Sequence, residues 1–389
     1  MNLHHPDICS IASEPSVGSA GSSRASGGKP AAATSGHTGA RKLITMAQIA
    51  RVAGVSQGAI SSLLNDRDYG IRVSPQTSER VFKTCRELGY VPSDLRAVVR
   101  VYPELGETCL LVSARIPGGL ANPFVTRIAA ALMAKSAAHS SGIAVSLHDE
   151  TRDYGLLDGM PAPVKHGTAS RILFIGAANQ SIVATARHRG NPGIVLGHTA
   201  TLAGTTSVVP DYVAAVRSAL GVFARHGHKR VGIVGGSFAS DEPRISEMYC
   251  AIGSAFHEAG LPIEAQDIHN GSLDFECGIQ AFHATLARSS RPTALLCLSE
   301  ATAAGVLAAA HARGVSVPGQ LSVIAVVDHG NLPASCLPLT AVVLPADQMA
   351  AAAMEEAGRQ LRDGVPADAR KIVVGTTLIE RMTCGPVVR

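Results

Sequence analysis

The residues of this chain whose types and spacing suit a chemical task are polar ones at the start of a short apolar-faced segment: Gln57, Ser61, Ser62 and Asn65, preceded by Thr45 and Ser56. A glutamine amide carries a donor and an acceptor side by side, the pattern that pairs with N6 and N7 of adenine in the major groove. Hydroxyl and amide side chains around it suit phosphate and sugar oxygens. Bond-making chemistry has no comparable signature. The chain contains no nucleophile elbow and no His-Glu-x-x-His. His226 and His228, two apart before an apolar strand, do not have metal-site spacing. Gly232 to Gly236 lacks the full dinucleotide-binding pattern and its later acidic partner.

The elements needed to hold those residues are legible around them. Thr45 is a good helix N-cap, and Gln48 three residues later completes a capping box. Ile49, Val52 and Ala53 form an apolar stripe at helical spacing. Gly54 suits a left-handed helix stop and Val55 plugs the turn. Ser56 then caps a second helix with Ala59, Ile60, Leu63 and Leu64 on its buried face. Two short helices around a glycine turn predict a helix-turn-helix whose second helix enters the major groove. Ser74 and Pro75 open a third helix, with Val81, Phe82, Cys85 and Leu88 inward and Gly89 at its end.

Ala-Gly-Val-Ser (53–56), Ile-Ser, Leu-Asn and the trailing Leu-Gly-Tyr-Val-Pro (88–92) together resemble the LacI/GalR family of bacterial transcription regulators. The resemblance implies a multidomain chain: a small all-α helix-turn-helix DNA-binding domain, then an α/β core of two Rossmann-like parallel-sheet lobes of the periplasmic-binding-protein type. It implies DNA contacts from Thr45, Ser56, Gln57, Gly58, Ser61, Ser62, Asn65 and Arg72. Ser62 stands where an arginine is common in the family. Pro92 to Arg100 resembles the family's hinge helix, which folds in the minor groove when two subunits occupy an operator. Leu95, Arg96, Val99 and Arg100 are its expected DNA-contacting residues, with Val99 at the position of a leucine wedge.

The core has its own anchors: Asn122-Pro123-Phe124, Gly227-His228-Lys229-Arg230, Pro292-Thr293-Ala294, Pro338-Leu339-Thr340 and Leu378-Ile379-Glu380-Arg381. Buried-strand patterns recur at Cys109–Ala114, Ile143–Leu147, Arg171–Gly176, Gly193–Gly197, Arg230–Gly236, Ala294–Leu298 and Leu321–Val327, mostly with helical stretches between. That alternation predicts parallel sheets. Tyr154 to Ser170, with three glycines and two prolines, predicts one irregular crossover. By resemblance a small molecule binds between the lobes, and Phe124, Arg244, Leu273, Ser299 and Asp328 are the expected effector residues. Ser299 and Glu300 replace an Asn-Asp pair. With no Trp and 4% aromatic residues, an aromatic platform for a sugar ring is poorly supported.

Totals constrain the rest. Among 389 residues, 46% are hydrophobic and 39 are glycine, a composition that buries a large α/β core. The net charge of +4 is unevenly placed: residues 41–100 hold ten basic against five acidic side chains, leaving the core, 101–389, at −1. The positive excess lies where phosphates would need it. Eight cysteines without a Cys-x-x-Cys pair read as buried thiols. No apolar run approaches bilayer length and residues 1–40 lack a secretory core, so the expected location is the bacterial cytoplasm.

The domain expectation is a disordered tail at 1–42, a helix-turn-helix at 43–91, a hinge and linker at 92–106, and a core at 107–389. The core's expected lobes are 107–209 with 344–367 and 210–343 with 368–389. The functional expectation is a dimeric repressor, or a tetramer, that binds a pseudo-palindromic operator. A sugar or other polar effector would modulate it, with no membrane partner, catalytic residue, metal or cofactor. Two rivals follow from the substitutions at Ser62, Val99, Ser299 and Leu273. One is an α/β binding module or enzyme with a vestigial helical unit; the other is an effector-independent regulator.

Overall fold

A computed structural model describes residues 44–65, 73–116, 118–138, 142–155, 158–199, 202–236, 243–328 and 337–387, with backbone alone at 138, 243–248, 250, 251 and 328. The tail at 1–42 lies outside them, as does Arg72.

The chain opens with α1 (Met46–Ala53), α2 (Gln57–Asn65), α3 (Pro75–Leu88) and α4 (Leu95–Val101). Local signals start and stop each one. Thr45 and Gln48 exchange both capping-box bonds, and Gly54 ends α1 in the left-handed region at φ 66°. Ser56 Oγ accepts from Ala59 N at 3.1 Å. Ser74 caps α3, Pro75 occupies its first turn, and Gly89 closes it at φ 70°. Ile49, Ala53, Ile60, Leu64, Val81, Cys85, Ala97 and Val101 form one buried core for the four helices.

Two six-stranded sheets follow. The first is built from β1 (Glu107–Ser113), β2 (Ile143–His148), β3 (Ala169–Ile175), β4 (Gly193–Leu196), β5 (Thr205–Pro210) and, from much later in the chain, β11 (Arg370–Val374). Its order is β11-β5-β4-β3-β1-β2, and every pairing is parallel. The second is built from β6 (Val231–Val234), β7 (Ile268–His269), β8 (Ala294–Cys297), β9 (Ser322–Asp328), β10 (Thr340–Val343) and β12 (Thr377–Ile379). Its order is β12-β10-β9-β8-β6-β7, parallel except for the β10/β12 pair.

The helices α5 (Pro123–Ala138), α6 (Ala162–His166), α7 (Gln180–His188) and α12 (Ala346–Asp363) serve the first sheet; α8 (Tyr212–Arg225), α9 (Pro243–Glu258), α10 (Phe275–Leu286) and α11 (Glu300–Ala312) serve the second. Interior strands read as unbroken apolar runs because both faces are covered: Leu110, Leu173, Ile194 and Val208 pack on α5 and α12, and Cys109, Ile172, Phe174 and Val195 pack on α6 and α7. The irregular crossover is present as the five-residue α6, preceded by a loop that buries Tyr154 and Met160.

The lobe boundary differs from the sequence reading at one place. Residues 370–374 form β11 beside β5 in the first sheet, and the chain enters the second sheet only at β12. The chain therefore passes between sheets after β5, after β10 and after β11. Two of these passages are tied together: Asp211 N donates to Val374 O at 2.8 Å and Thr376 Oγ1 to Asp211 O at 3.4 Å.

Candidate DNA-binding surface and effector cleft

The helical unit sorts its residues by face. Ala59, Ile60 and Leu64 of α2 are buried, while Gln57 and Asn65 are exposed and Gly58, Ser61 and Ser62 are half-exposed. Six of the eight expected contacts near α2, Ser56 through Asn65, thus share one outward side of a single helix. Asn65 Nδ2 donates to Ser61 Oγ at 3.1 Å. Thr45, at the cap of α1, is exposed with its hydroxyl engaged by Gln48. The turn before α2 is held from outside, since Arg80 Nε donates to Ala53 O at 2.9 Å. A rigid turn that presents a bare glutamine at a helix start is what base-edge recognition in a groove requires.

The fourth helix departs from expectation. Val99, expected as a minor-groove wedge, is only 6% exposed. Arg100, expected at phosphates, is half-buried and Nη1 donates to Leu63 O at 2.8 Å. The physical reason is packing: Ala97 and Val101, one helical turn apart, fill the core beside Val81 and Cys85, Val99 is buried on the other side of α4, and Arg100 is held by Leu63 O. Leu95, 55% exposed, and Arg96 remain outward.

In the core, parallel strands deliver their carboxyl ends to one edge of each sheet, where α/β folds bind ligands. In the first sheet Ser113 ends β1, His148 ends β2 and Gly176 follows β3. The Ser113 hydroxyl donates to Glu150 Oε1, and Ala177 N donates to the same oxygen at 3.4 Å. Asp149, next to it, is held below the usual carboxylate range by hydrogen bonds from the Thr151 amide and hydroxyl. His148 is buried, contacts Ala177 O through Nε2 at 3.0 Å, and burial lowers its pKa. Asn122 Oδ1 accepts from Phe124 N at 3.0 Å, and the Phe124 ring lies over Gly197 at the end of β4. A Cβ on Gly197 would stand 2.4 Å from Phe124 Cζ, so that close approach requires glycine.

In the second sheet Gly235 and Gly236 follow β6 with φ of 92° and 83°. Leu273 is 52% exposed beside Gly235. Ser299 follows β8, but its hydroxyl is engaged: it accepts from Thr302 N at 3.1 Å as the cap of α11 and donates to Leu273 O at 3.1 Å. Glu300, the other departure from the Asn-Asp pair, is buried. Arg244 lies in the first turn of α9 and Asp328 ends β9, opposite Val343; the side chains of both lie outside the described residues. Leu273, Ser299 and Asp328 thus lie at strand carboxyl ends or on the loops beside them, and Phe124, in the first turn of α5, sets its ring over Gly197 at the end of β4. Ser113 and Glu150 were not among the residues expected at these strand ends. The signal was available, since each lies at or just beyond the carboxyl end of an apolar run.

Among the described residues, the cysteines are buried or half-buried thiols. Cys85, Cys109, Cys277 and Cys297 are buried and Cys384 half-buried. Burial pushes the Cys109 thiol up to about 12 and that of Cys384 to about 11.

Comparison with known proteins agrees with this geometry. The family model for bacterial regulatory proteins of the lacI family matches residues 45–93, and that for the periplasmic binding protein-like domain matches 220–384. The chain is 28% identical to the catabolite control protein A of Priestia megaterium over 80% of this chain and 90% of that one. It is 26% identical to the HTH-type transcriptional repressor CytR of Escherichia coli K12, over 80% and 87%. Among solved structures, the transcriptional regulator CelR in complex with cellobiose aligns with a TM-score of 0.59 at 20% identity, covering 87% of this chain and 99% of that one. A LacI regulator from a Rhodococcus species aligns at 0.57 and 20% identity over 72% of this chain and 99% of that one. With a lacI-type helix-turn-helix at its start and a periplasmic-binding-protein-like core behind it, the chain belongs to the LacI family of DNA-binding transcriptional regulators.

Proposed function

We propose that this protein is a cytoplasmic, dimeric repressor that holds a pseudo-palindromic operator through two copies of α2 and responds to a polar small molecule at the carboxyl ends of the core strands. The observation that carries this reading is the exposed start of α2, where Gln57 projects from a turn pinned by Gly54 and Arg80. Repression is supported by the named function of the relative CytR. A saccharide or similarly hydroxylated effector is supported by the cellobiose complex of CelR, and the Ser113–Glu150 pair supplies acceptors for ligand hydroxyls. Arg244 and Asp328 are the remaining polar candidates. Pairing of two copies is supported by apolar side chains left exposed on edge strand β2 (Val145, Leu147) and on α5 (Met133). Two recognition helices then read half-sites about one helical turn of DNA apart.

Selection of bound fragments from genomic DNA with the full-length protein tests the reading. An enriched pseudo-palindrome, lost in Gln57→Ala, is the expected result. No enrichment with or without cell metabolites would sink it.

One observation favours an effector-independent variant: the Ser299 hydroxyl already has its partners in the cap of α11 and Leu273 O. A thermal-shift screen of sugars, nucleosides and carboxylates distinguishes the two.

A further inference from the structure

The surface over α7 is built from a stretch of one charge sign. Between Asp158 and Asp211 the sequence holds no acidic residue, yet it holds Lys165, Arg171, Arg187 and Arg189 with three histidines. The core as a whole sums to −1, so the bias is local. Gln180, Val183, Ala184, Arg187 and His188 recur along α7 at the spacing of one helical face. That face and the segment after β4, at Leu202 and Ala203, bound a groove of about 450 Å³, within the ~300–1,000 Å³ of small-molecule sites. Buried Val183 and half-buried Leu202 give it an apolar floor, and Arg187 and His188 are exposed along it.

The cation is placed by its surroundings. Gly204, at φ 78°, lets the Arg187 stem lie across the chain, since a Cβ there would stand 3.1 Å from Arg187 Cδ. Thr205 closes the loop wall: its amide donates to Leu202 O at 3.2 Å and its hydroxyl to the same oxygen at 2.5 Å. Arg189 is engaged elsewhere, donating to Val164 O and, at 3.3 Å, to Lys165 O. That tie brings the exposed Lys165 and His166 of α6 beside the end of α7. Among the described residues the Arg187 and His188 side chains have no hydrogen bond or ion pair. The carbonyls that end α7 are occupied: Ala186 O accepts from Arg189 N and Asn191 N at 3.0 and 2.9 Å, and Arg187 O from Gly190 N at 3.0 Å. An acid does lie at the other end of α7, Asp153, and it accepts from Ser181 Oγ at 2.8 Å.

We propose that this groove is a second small-molecule site, for an organic anion with an apolar body. The carboxylate or sulfonate is held by Arg187 and His188, and the body lies on Val183, Leu202 and the two alanines. A guanidinium fork suits the paired oxygens of such an anion, and the same cation attracts an aromatic face. The site is separate from the candidate effector residues at the strand carboxyl ends. Arg187 lies seven residues along α7 from Gln180, about 10 Å toward the amino ends of the strands. The inference does not depend on the DNA-binding reading.

Dye binding to the full-length protein, followed by fluorescence, decides it. The probes are anilinonaphthalenesulfonate and phenylnaphthylamine, which share one apolar body and differ in the sulfonate. The sulfonated dye is expected to bind at least about tenfold more tightly than the uncharged one. Arg187→Gln should cost the sulfonated dye about tenfold in affinity and leave the uncharged dye unchanged. Ala184→Trp fills the groove and should abolish binding of both. Arg187 and Ala184 are exposed, so both variants keep the fold, which thermal melts verify. No binding of the sulfonated dye, equal affinities for the two dyes, or unchanged binding in either variant would each overturn the proposal. Loss of binding in Leu273→Ala but not in Arg187→Gln would put the dye at the strand ends and overturn it equally.

Discussion

Arg100, on the last helix of the DNA-binding unit, donates to the backbone carbonyl of Leu63 on the recognition helix, 37 residues earlier, at 2.8 Å. This bond ties the fourth helix to the recognition helix. It also separates two valine-or-leucine positions that look alike in the sequence.

Val99 and Leu95 are the first comparison. Val99→Ala removes two buried methyl groups from the helical unit and is expected to destabilise it by about 2 kcal/mol. Leu95→Ala, at an exposed position, is expected to leave stability within about 0.5 kcal/mol while weakening binding to the selected DNA site. Denaturant melts followed by DNA titration give both numbers. Equal melts for the two variants would contradict the burial described here.

Gln57 should behave as a contact without a structural role. Gln57→Ala is expected to melt within about 0.5 kcal/mol of the native protein. Its affinity for the selected site should fall by about 1–3 kcal/mol, with less discrimination at one base pair per half-site. Loss of affinity at all sequences alike would instead mean a phosphate contact.

Gly278 and Gly305 let α10 and α11 cross at backbone contact. A Cβ at Gly278 would lie 2.1 Å from Thr302 O, and one at Gly305 would lie 2.0 Å from Phe275 O. Backbone on both sides leaves no flexible end to give way, so Gly278→Ala or Gly305→Ala should each destabilise the core by about 3 kcal/mol or more. Thermal unfolding that leaves Tm within two or three degrees would refute the close crossing.

Acid sensitivity should begin near the histidine range. Burial lowers the pKa of His148, His228 and His269 below the ordinary 6.5. A lowered folded-state pKa means that the unfolded chain binds protons first as pH falls. The stability from these neutral histidines is present above 6.5 and is lost as pH falls through their folded values. His228 anchors the last residues: its ring nitrogens lie 2.8 Å from Thr293 Oγ1, 3.0 Å from Ser322 Oγ and 3.2 Å from Gly385 O. Urea melts between pH 7.5 and 5 should show stability falling with pH, and His228→Asn should be less stable at pH 7.5 with a shallower slope. An unchanged slope would remove His228 from the account.

The local grammar of the helical unit was readable because caps act over three or four residues. Thr45 with Gln48, Ser56, Ser74 with Pro75 and the two left-handed glycines lie where their side-chain types require. Core strands such as Leu110–Val112 and Leu295–Cys297 were readable as apolar runs. The strand β5 was not, because it begins Thr-Thr-Ser and looks like a loop. It is nonetheless buried throughout, since Gln360 Nε2 donates to Thr206 Oγ1 at 2.8 Å and Glu356 Oε1 accepts from it at 3.4 Å. Those partners are 150 and 154 residues away on α12. Nothing local announces them.

By itself, then, the sequence determined the presence and type of the recognition helix, the two-sheet core and the strand ends at which a ligand site belongs. Those depend on periodicity, caps and alternation, which are properties of neighbours in the chain. Only the tertiary structure decided that Val99 and Arg100 face inward while Leu95 faces out, that β11 returns to the first sheet, and that the Ser299 hydroxyl is spent on a helix cap. Each depends on which distant surface an element packs against, and packing energy, not local preference, selects that surface.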